Sequence, residues 1–146
     1  MQPAPFESTT AIRFGHCDPA GIVFYPRYFE MINALVEDWF EQGLGISFHE
    51  LHTVRGVGTP TATINTDFRR PSRWNDTIRQ RLTVRQIGSA SFDAEVTLSG
   101  AEDDLRVRAR LTIVTVDLAT IRPRSLPEDL RAAMQRFLIP EPAPLS

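Results

Sequence analysis

Cysteine occurs once in the 146 residues, at Cys17, which excludes an intrachain disulfide and a cysteine-based zinc knuckle and leaves thiol chemistry a minor option. Lysine is absent, and the 16 basic residues are all arginine. Against 18 acidic residues they leave a formal net charge of -2, without the cationic excess that drives phosphate-neutralising attraction to nucleic acid or anionic lipid. Neither is an expected partner. Arginine does present a planar fork of donors that suits discrete phosphates, so a small phosphorylated ligand stays open. The stretch from Met1 to Thr10 has no basic n-region and no apolar run, so neither a secretory signal nor a membrane anchor is read there, and a cytoplasmic location is expected. There is no internal repeat.

Hydrophobic residues make up 42% of the chain and charged ones 23%, the balance of an ordinary soluble globular protein. The length fits one domain over residues 1–146, with its core at about 8–138 and a Pro-rich, frayed tail over 140–146. Weak alternation predicts a first strand over Ser8–Phe14. Asp18-Pro19-Ala20-Gly21 then reads as a type I turn. From Pro26 to about Gln42 the pattern becomes helical, with Pro26 at the first helical position and Gly43 as C-terminal cap.

On that helix Tyr28, Phe29, Met31, Ile32, Leu35, Val36, Trp39 and Phe40 share one arc of roughly 180° at 100° per residue. So wide an arc predicts a curved partner that wraps the helix. After a loop over Arg55–Pro60, four strands are expected, Thr61–Arg69, Thr77–Gln86, Ser91–Ser99 and Leu105–Val116. The alternation assigns Ala62, Ile64, Thr66 and Phe68, and later Val107, Ala109, Leu111 and Ile113, to the inner face. Residues 99–104 read as a hairpin turn. A second helix is expected over Leu126–Leu138, capped by Ser125, with Pro127 near its first turn. Arg106, Arg108 and Arg110 read as the wet face of a strand.

The element order, strand, long helix and four antiparallel strands, is that of an α+β hot-dog fold. The run Arg13-Phe14-Gly15-His16-Cys17-Asp18-Pro19-Ala20-Gly21-Ile22-Val23-Phe24-Tyr25-Pro26-Arg27-Tyr28 closely resembles the signature of the 4-hydroxybenzoyl-CoA thioesterase family. Gly58-Thr59-Pro60, Asn65, Phe68 and Ser91-Phe92 are weaker matches, so the resemblance spans roughly residues 10 to 116. It implies an acyl-CoA thioesterase in which Asp18 is the catalytic carboxylate and the Tyr25 backbone N–H polarises the thioester oxygen. Both roles have a physical reason: an ionised carboxylate can attack a thioester carbonyl or take a proton from water, and a helix N-terminus stabilises the oxyanion that develops.

His16, two residues before Asp18, would share its direction in an extended chain and replaces an acidic residue of the aryl-specific members. Cys17 would point the opposite way as a small buried residue. The resemblance further implies substrate contacts at Asn33, Gly58, Thr59, Ser91 and Arg70. Asn33 stands where the 4-hydroxybenzoyl branch has an acidic residue that meets the phenol, which argues for an aromatic or medium-chain acyl group rather than strict 4-hydroxyaryl selectivity. Arg69, Arg70, Arg73, Arg79, Arg81 and Arg85 are the candidates for holding the phosphates of coenzyme A, while Gly88-Ser89-Ala90 replaces the family's basic cluster, so the family's nucleotide anchoring does not carry over and the pantetheine arm is expected on backbone groups of that turn. No cofactor beyond the coenzyme A of the substrate and no metal is expected, His49-Glu50-Leu51-His52 lacking the zincin spacing. A homo-oligomer, dimer or tetramer, is implied. A non-catalytic acyl-CoA or acyl-carrier binding protein is the alternative, and a hydratase on the same fold ranks lower.

Overall fold

The computed structural model describes residues 2–142, so Met1 and the end of the expected frayed tail, 143–146, lie outside the described residues. Strand β1 (Phe6–Ala11) is followed by a 3-10 turn (Phe14–His16) and the helix α1 (Pro26–Asp38). Then come β2 (Val57–Gly58), β3 (Thr61–Phe68), β4 (Thr77–Ile87), β5 (Ser91–Ser99), β6 (Leu105–Val114), β7 (Val116–Asp117), β8 (Arg122–Pro123) and α2 (Glu128–Met134). One antiparallel sheet has the order β1-β4-β5-β6-β3, and a small one the order β2-β7-β8. Irregular register at Val84/Gln86, Leu98/Ser99 and Thr61/Thr63 adds local twist and bend to the large sheet.

The core is the meeting of the helix arc with the inner faces of the central strands. Tyr28, Met31, Ile32, Leu35, Val36, Trp39 and Phe40 are buried as expected, and Phe29 is half-buried. They are buried together with Ile78, Leu82 and Val84 of β4, Phe92, Ala94, Val96 and Leu98 of β5, and Val107, Ala109, Leu111 and Ile113 of β6. A fully buried large apolar side chain contributes about 1.5–3 kcal/mol, so this arc, rather than helix propensity, holds α1 in place.

Several boundaries differ from expectation. The first strand lies earlier, because the chain leaves the sheet after Ala11 to form the 3-10 turn. Past Asp38 the helix widens into a π-helical turn (Trp39–Leu44), and the left-handed cap is Gly45 at φ 82°, not Gly43. Gly43 is buried against the Trp39 indole, and a Cβ there would stand 2.8 Å from Trp39 Cδ1. Its missing side chain therefore serves packing, and the reversal falls two residues later. A second π-helical turn (Glu50–Val54) and the strand β2 occupy the stretch before β3.

Helix α2 is shorter than expected, and Pro127, at φ -54° and ψ 137°, precedes it in place of Ser125. Buried Leu126 donates its N–H to Ser89 O and keeps the chain extended up to that point. β6 stops at Val114, and Thr115 turns the chain into the small sheet by donating its hydroxyl to Arg124 O at 2.6 Å. At the other end, Glu141 is placed against Arg110.

The largest departure is β3. Of the residues assigned inward, only Thr66 is even half-buried, while Ile64 is 38% and Phe68 49% exposed. β3 is the terminal strand of the sheet and pairs only with β6.

Candidate active site

The Asp18–Gly21 turn forms as the sequence demands, with Gly21 N–H donating to Asp18 O at 2.9 Å and Gly21 at φ 81°. It heads a short antiparallel ribbon. Asp18 N–H donates to Ile22 O at 2.9 Å, Phe24 N–H donates to His16 O at 2.9 Å, and Cys17 bridges Val23. The ribbon delivers the chain directly into α1, so the turn carboxylate and the start of the helix are held by one folded unit.

Asp18 is half-buried. Its Oδ1 accepts the Ala20 N–H at 2.8 Å, which fixes the carboxylate, and Oδ2 has no hydrogen-bond partner among the described residues. Proline at 26 has no N–H, Arg27 donates to Phe24 O and Tyr28 donates to Tyr25 O. Among the described residues nothing accepts the Tyr25 N–H, which leaves one free backbone donor at the positive end of α1. A carboxylate oxygen and an N–H donor, both unsatisfied and rigidly mounted, are the two groups a carbonyl needs for attack and for stabilisation of the resulting oxyanion.

The expected extended path through His16 and Asp18 is not formed. His16 closes the 3-10 turn, and its Nδ1 accepts the Arg13 N–H at 2.8 Å, which places the ring proton of the neutral form on Nε2. The ring lines a cleft with Thr10, Glu30 and Gln80, apart from Asp18. Cys17, expected buried and on the opposite face, is half-buried and shares the Asp18 cleft.

The other candidates fall into separate places. Asp18 sits in a cleft of about 450 Å³ with Phe14, Cys17, Pro19, Gly21 and Trp74. Tyr25 and Arg70 line a second, of about 300 Å³, with Phe68 and Arg69. Asn33 and Thr59 line a third, of about 400 Å³, whose walls are mainly Phe29, Ile32, Val36, Phe48, Ile64 and Ile113. Gly58 and Ser91 line none of the three. Gly58 is buried where a Cβ would stand 2.7 Å from Leu118 Cδ2, and Ser91 begins β5, its carbonyl accepting the Gly88 N–H at 2.7 Å.

The arginines divide by their partners. Arg79 and Arg81 are drawn to Asp103, Arg81 also to Glu7, and Arg85 to Glu95. Among the described residues, Arg70 and Arg73 form no salt bridge, although Arg70 stands near enough to Asp104, and Arg73 to Asp76, to favour the ionised carboxylate. His52 Nδ1 lies 2.7 Å from Phe48 O, tying that ring to its own turn.

Sequence reasoning missed the aromatic walls of the Asp18 cleft. Phe14 and Trp74 are 67% and 66% exposed and meet edge to face at 5.7 Å. A tryptophan inside the turn-forming run Pro71–Asp76, where no core face exists, was the available signal.

An antiparallel sheet wrapped around one long helix, with a carboxylate turn leading into that helix, is the hot-dog thioesterase architecture. The model of the thioesterase-like superfamily matches residues 12–134, and the chain belongs to that family. A 1,4-dihydroxy-2-naphthoyl-CoA hydrolase from Acaryochloris marina is 24% identical over 131 residues, covering 88% of this chain and 95% of the relative. The 4-hydroxybenzoyl-CoA thioesterase of Pseudomonas sp. strain CBS-3 is 29% identical over 103 residues, covering 67% of this chain and 73% of the relative. Its solved structure superposes with a TM-score of 0.80 at 26% identity over 88% of this chain and 98% of that one. No helix among the described residues is long and apolar enough to cross a membrane.

Proposed function

We propose that this protein hydrolyses the thioester of an acyl-CoA whose acyl group is aromatic or of medium length. The observation that carries the reading is the pair of unsatisfied groups on the 16–25 unit, Asp18 Oδ2 and the Tyr25 N–H. The carbonyl carbon lies against the carboxylate and its oxygen against the N–H. Either Asp18 attacks the carbon and expels coenzyme A as the thiolate, which takes a proton from solvent before water hydrolyses the acyl-Asp18 anhydride, or Asp18 takes a proton from an attacking water and that proton passes to the departing sulfur; in both, the tetrahedral oxyanion is held at the helix start. Arg70, which forms no salt bridge and lines one cleft with Tyr25, suits a phosphate of the coenzyme.

The acyl group belongs in the apolar cleft under Asn33, and a second copy is the route by which that cleft is taken to meet Asp18. Within one chain Asp18 and Asn33 line different clefts, whereas the bare edge of β3, with Ile64 and Phe68 exposed, offers backbone and apolar surface to another β3. The active unit is accordingly a homo-oligomer in which one copy supplies Asp18 and Tyr25 and its partner supplies the Asn33 and Thr59 wall.

The test is free-thiol release from aryl, short, medium and long acyl-CoAs, by the wild type and Asp18→Asn. We expect release from the aryl or medium members, and a loss of at least about a hundredfold in kcat for the variant while binding persists. Full turnover by Asp18→Asn rejects the catalytic assignment. Tight acyl-CoA binding with no thiol released from any member makes the protein a carrier instead.

A further inference from the structure

Arg106 was expected on the wet face of β6, yet only 15% of its side chain is exposed. Its guanidinium reaches across to the turn joining β3 to β4. Nη1 lies 3.1 Å from Pro71 O, 3.2 Å from the Oγ of fully buried Ser72 and 3.0 Å from Asp76 Oδ2, while Nε donates to Asp104 Oδ2 at 2.6 Å. Space for the head group comes from Gly100, because a Cβ there would collide with Arg106 Nη2 and Cζ. The backbone of the same residue accepts the Arg69 N–H at 2.8 Å. Among the described residues no other side chain makes as many hydrogen bonds to that turn, and a forked, always-charged head is suited to holding several acceptors at once.

The turn so gripped is itself the support of the site. Val23 N–H donates to Ser72 O at 2.9 Å, and Ile22 bridges Arg73. Ile22 and Val23 form the arm of the ribbon that lies between Asp18 and Tyr25. Asp76 ties the turn to itself by accepting the Arg73 N–H at 2.9 Å, and its carbonyl accepts the Ile12 N–H at 2.8 Å, next to the start of the signature run. Trp74, carried on the same turn, forms a wall of the Asp18 cleft. A chain of direct contacts therefore runs from the Arg106 guanidinium through Ser72 to Val23, and from there to both reacting groups.

We infer that Arg106 is a positioning residue for thioester hydrolysis, clamping the 71–76 turn so that the Ile22–Val23 arm holds the Asp18 carboxylate at a set distance from the Tyr25 N–H. The inference rests on the activity proposed above. It assigns Arg106 no contact with the substrate. Loosening the clamp misplaces two groups that must act on one carbonyl, and a misplacement on the order of 1 Å costs as much as a hundredfold in rate.

The test compares Arg106→Gln, Arg106→Lys and Ser72→Ala with the wild type in kcat and KM for an acyl-CoA that the wild type cleaves, together with amide hydrogen exchange. For Arg106→Gln the expected result is a fall of at least about tenfold in kcat with KM within about threefold. The Val23 amide should exchange at least about tenfold faster, while Ala94 and Val96 in the centre of the sheet keep their protection. Arg106→Lys, which keeps the charge but not the fork, should recover part of both. Ser72→Ala removes a single contact and supplies a milder variant if the glutamine chain does not fold, with the same direction at about twofold to fivefold.

Unchanged kcat and unchanged Val23 exchange in Arg106→Gln overturn the inference. So does a fall in kcat that only tracks loss of protection throughout the sheet. Absence of thiol release from the wild type on every acyl-CoA would sink the proposed activity instead, and Val23 exchange would still decide whether the clamp exists.

Discussion

Replacing Tyr25 by proline isolates the backbone donor to which the proposed mechanism assigns oxyanion stabilisation. The residue sits at φ -53° and ψ -34°, and this φ lies inside the range of a proline ring, near -65 ± 15°. Its N–H has no acceptor among the described residues, so deleting it breaks no hydrogen bond of the fold. The ring is 59% exposed and meets Phe24 at 5.6 Å and Phe68 at 6.1 Å, contacts that Tyr25→Ala also removes. The ratio of the two variants therefore reports the donor alone. Loss of one oxyanion donor costs about a hundredfold to a thousandfold, or roughly 2.7–4 kcal/mol of transition-state stabilisation. Measured by thiol release at saturating acyl-CoA, Tyr25→Pro should turn over at least about a hundredfold more slowly than Tyr25→Ala, with both chains folded by circular dichroism. Equal turnover within about threefold would show that the oxyanion is held elsewhere.

Two further outcomes follow from the geometry. The Asp76 carboxyl is held below the usual carboxylate range, chiefly by the Arg73 N–H and then by Arg106, and Asp104 is lowered by its hydrogen bond to Arg106. Their folded-state values lie under the unfolded ones, so the stability they confer is complete above the ordinary value of 3.8 and disappears as pH falls through the depressed one. Tm should be insensitive to these groups at neutral pH and drop below about pH 4, less steeply in Asp76→Asn than in the wild type. At the sheet edge, Ile64→Lys should shift sedimentation toward the monomer while leaving the far-ultraviolet spectrum unchanged, because its side chain is exposed in the isolated chain.

The helix arc and the inner face of β6 were legible because each buries a single continuous face, and burial imposes the 3.6 or 2.0 period directly on the residue types. β3 misled for the opposite reason. Its alternation is real, but a terminal strand keeps an apolar row for a surface that one chain does not contain. The end of α1 was misplaced by the widened turn, where Gly43 yields to the Trp39 ring and Gly45 makes the reversal. Asp18, Pro19 and Gly21 announced their turn through local backbone preference, and family resemblance, not spacing, turned that loop into chemistry. Side-chain pairings left no mark on the pattern: Arg106 with a turn some thirty residues earlier, or, over only three residues, the His16 ring with the Arg13 amide, becomes visible only in three dimensions.

In the assembly proposed above, the rim of β3, unpaired among the described residues, ties catalysis to population. When the groups that cleave and the wall that receives the acyl chain come from different copies, output per molecule declines on dilution, and specific activity plotted against protein concentration is itself a titration of assembly. A cell making few copies would hold a silent pool, switched on by abundance with no added regulator.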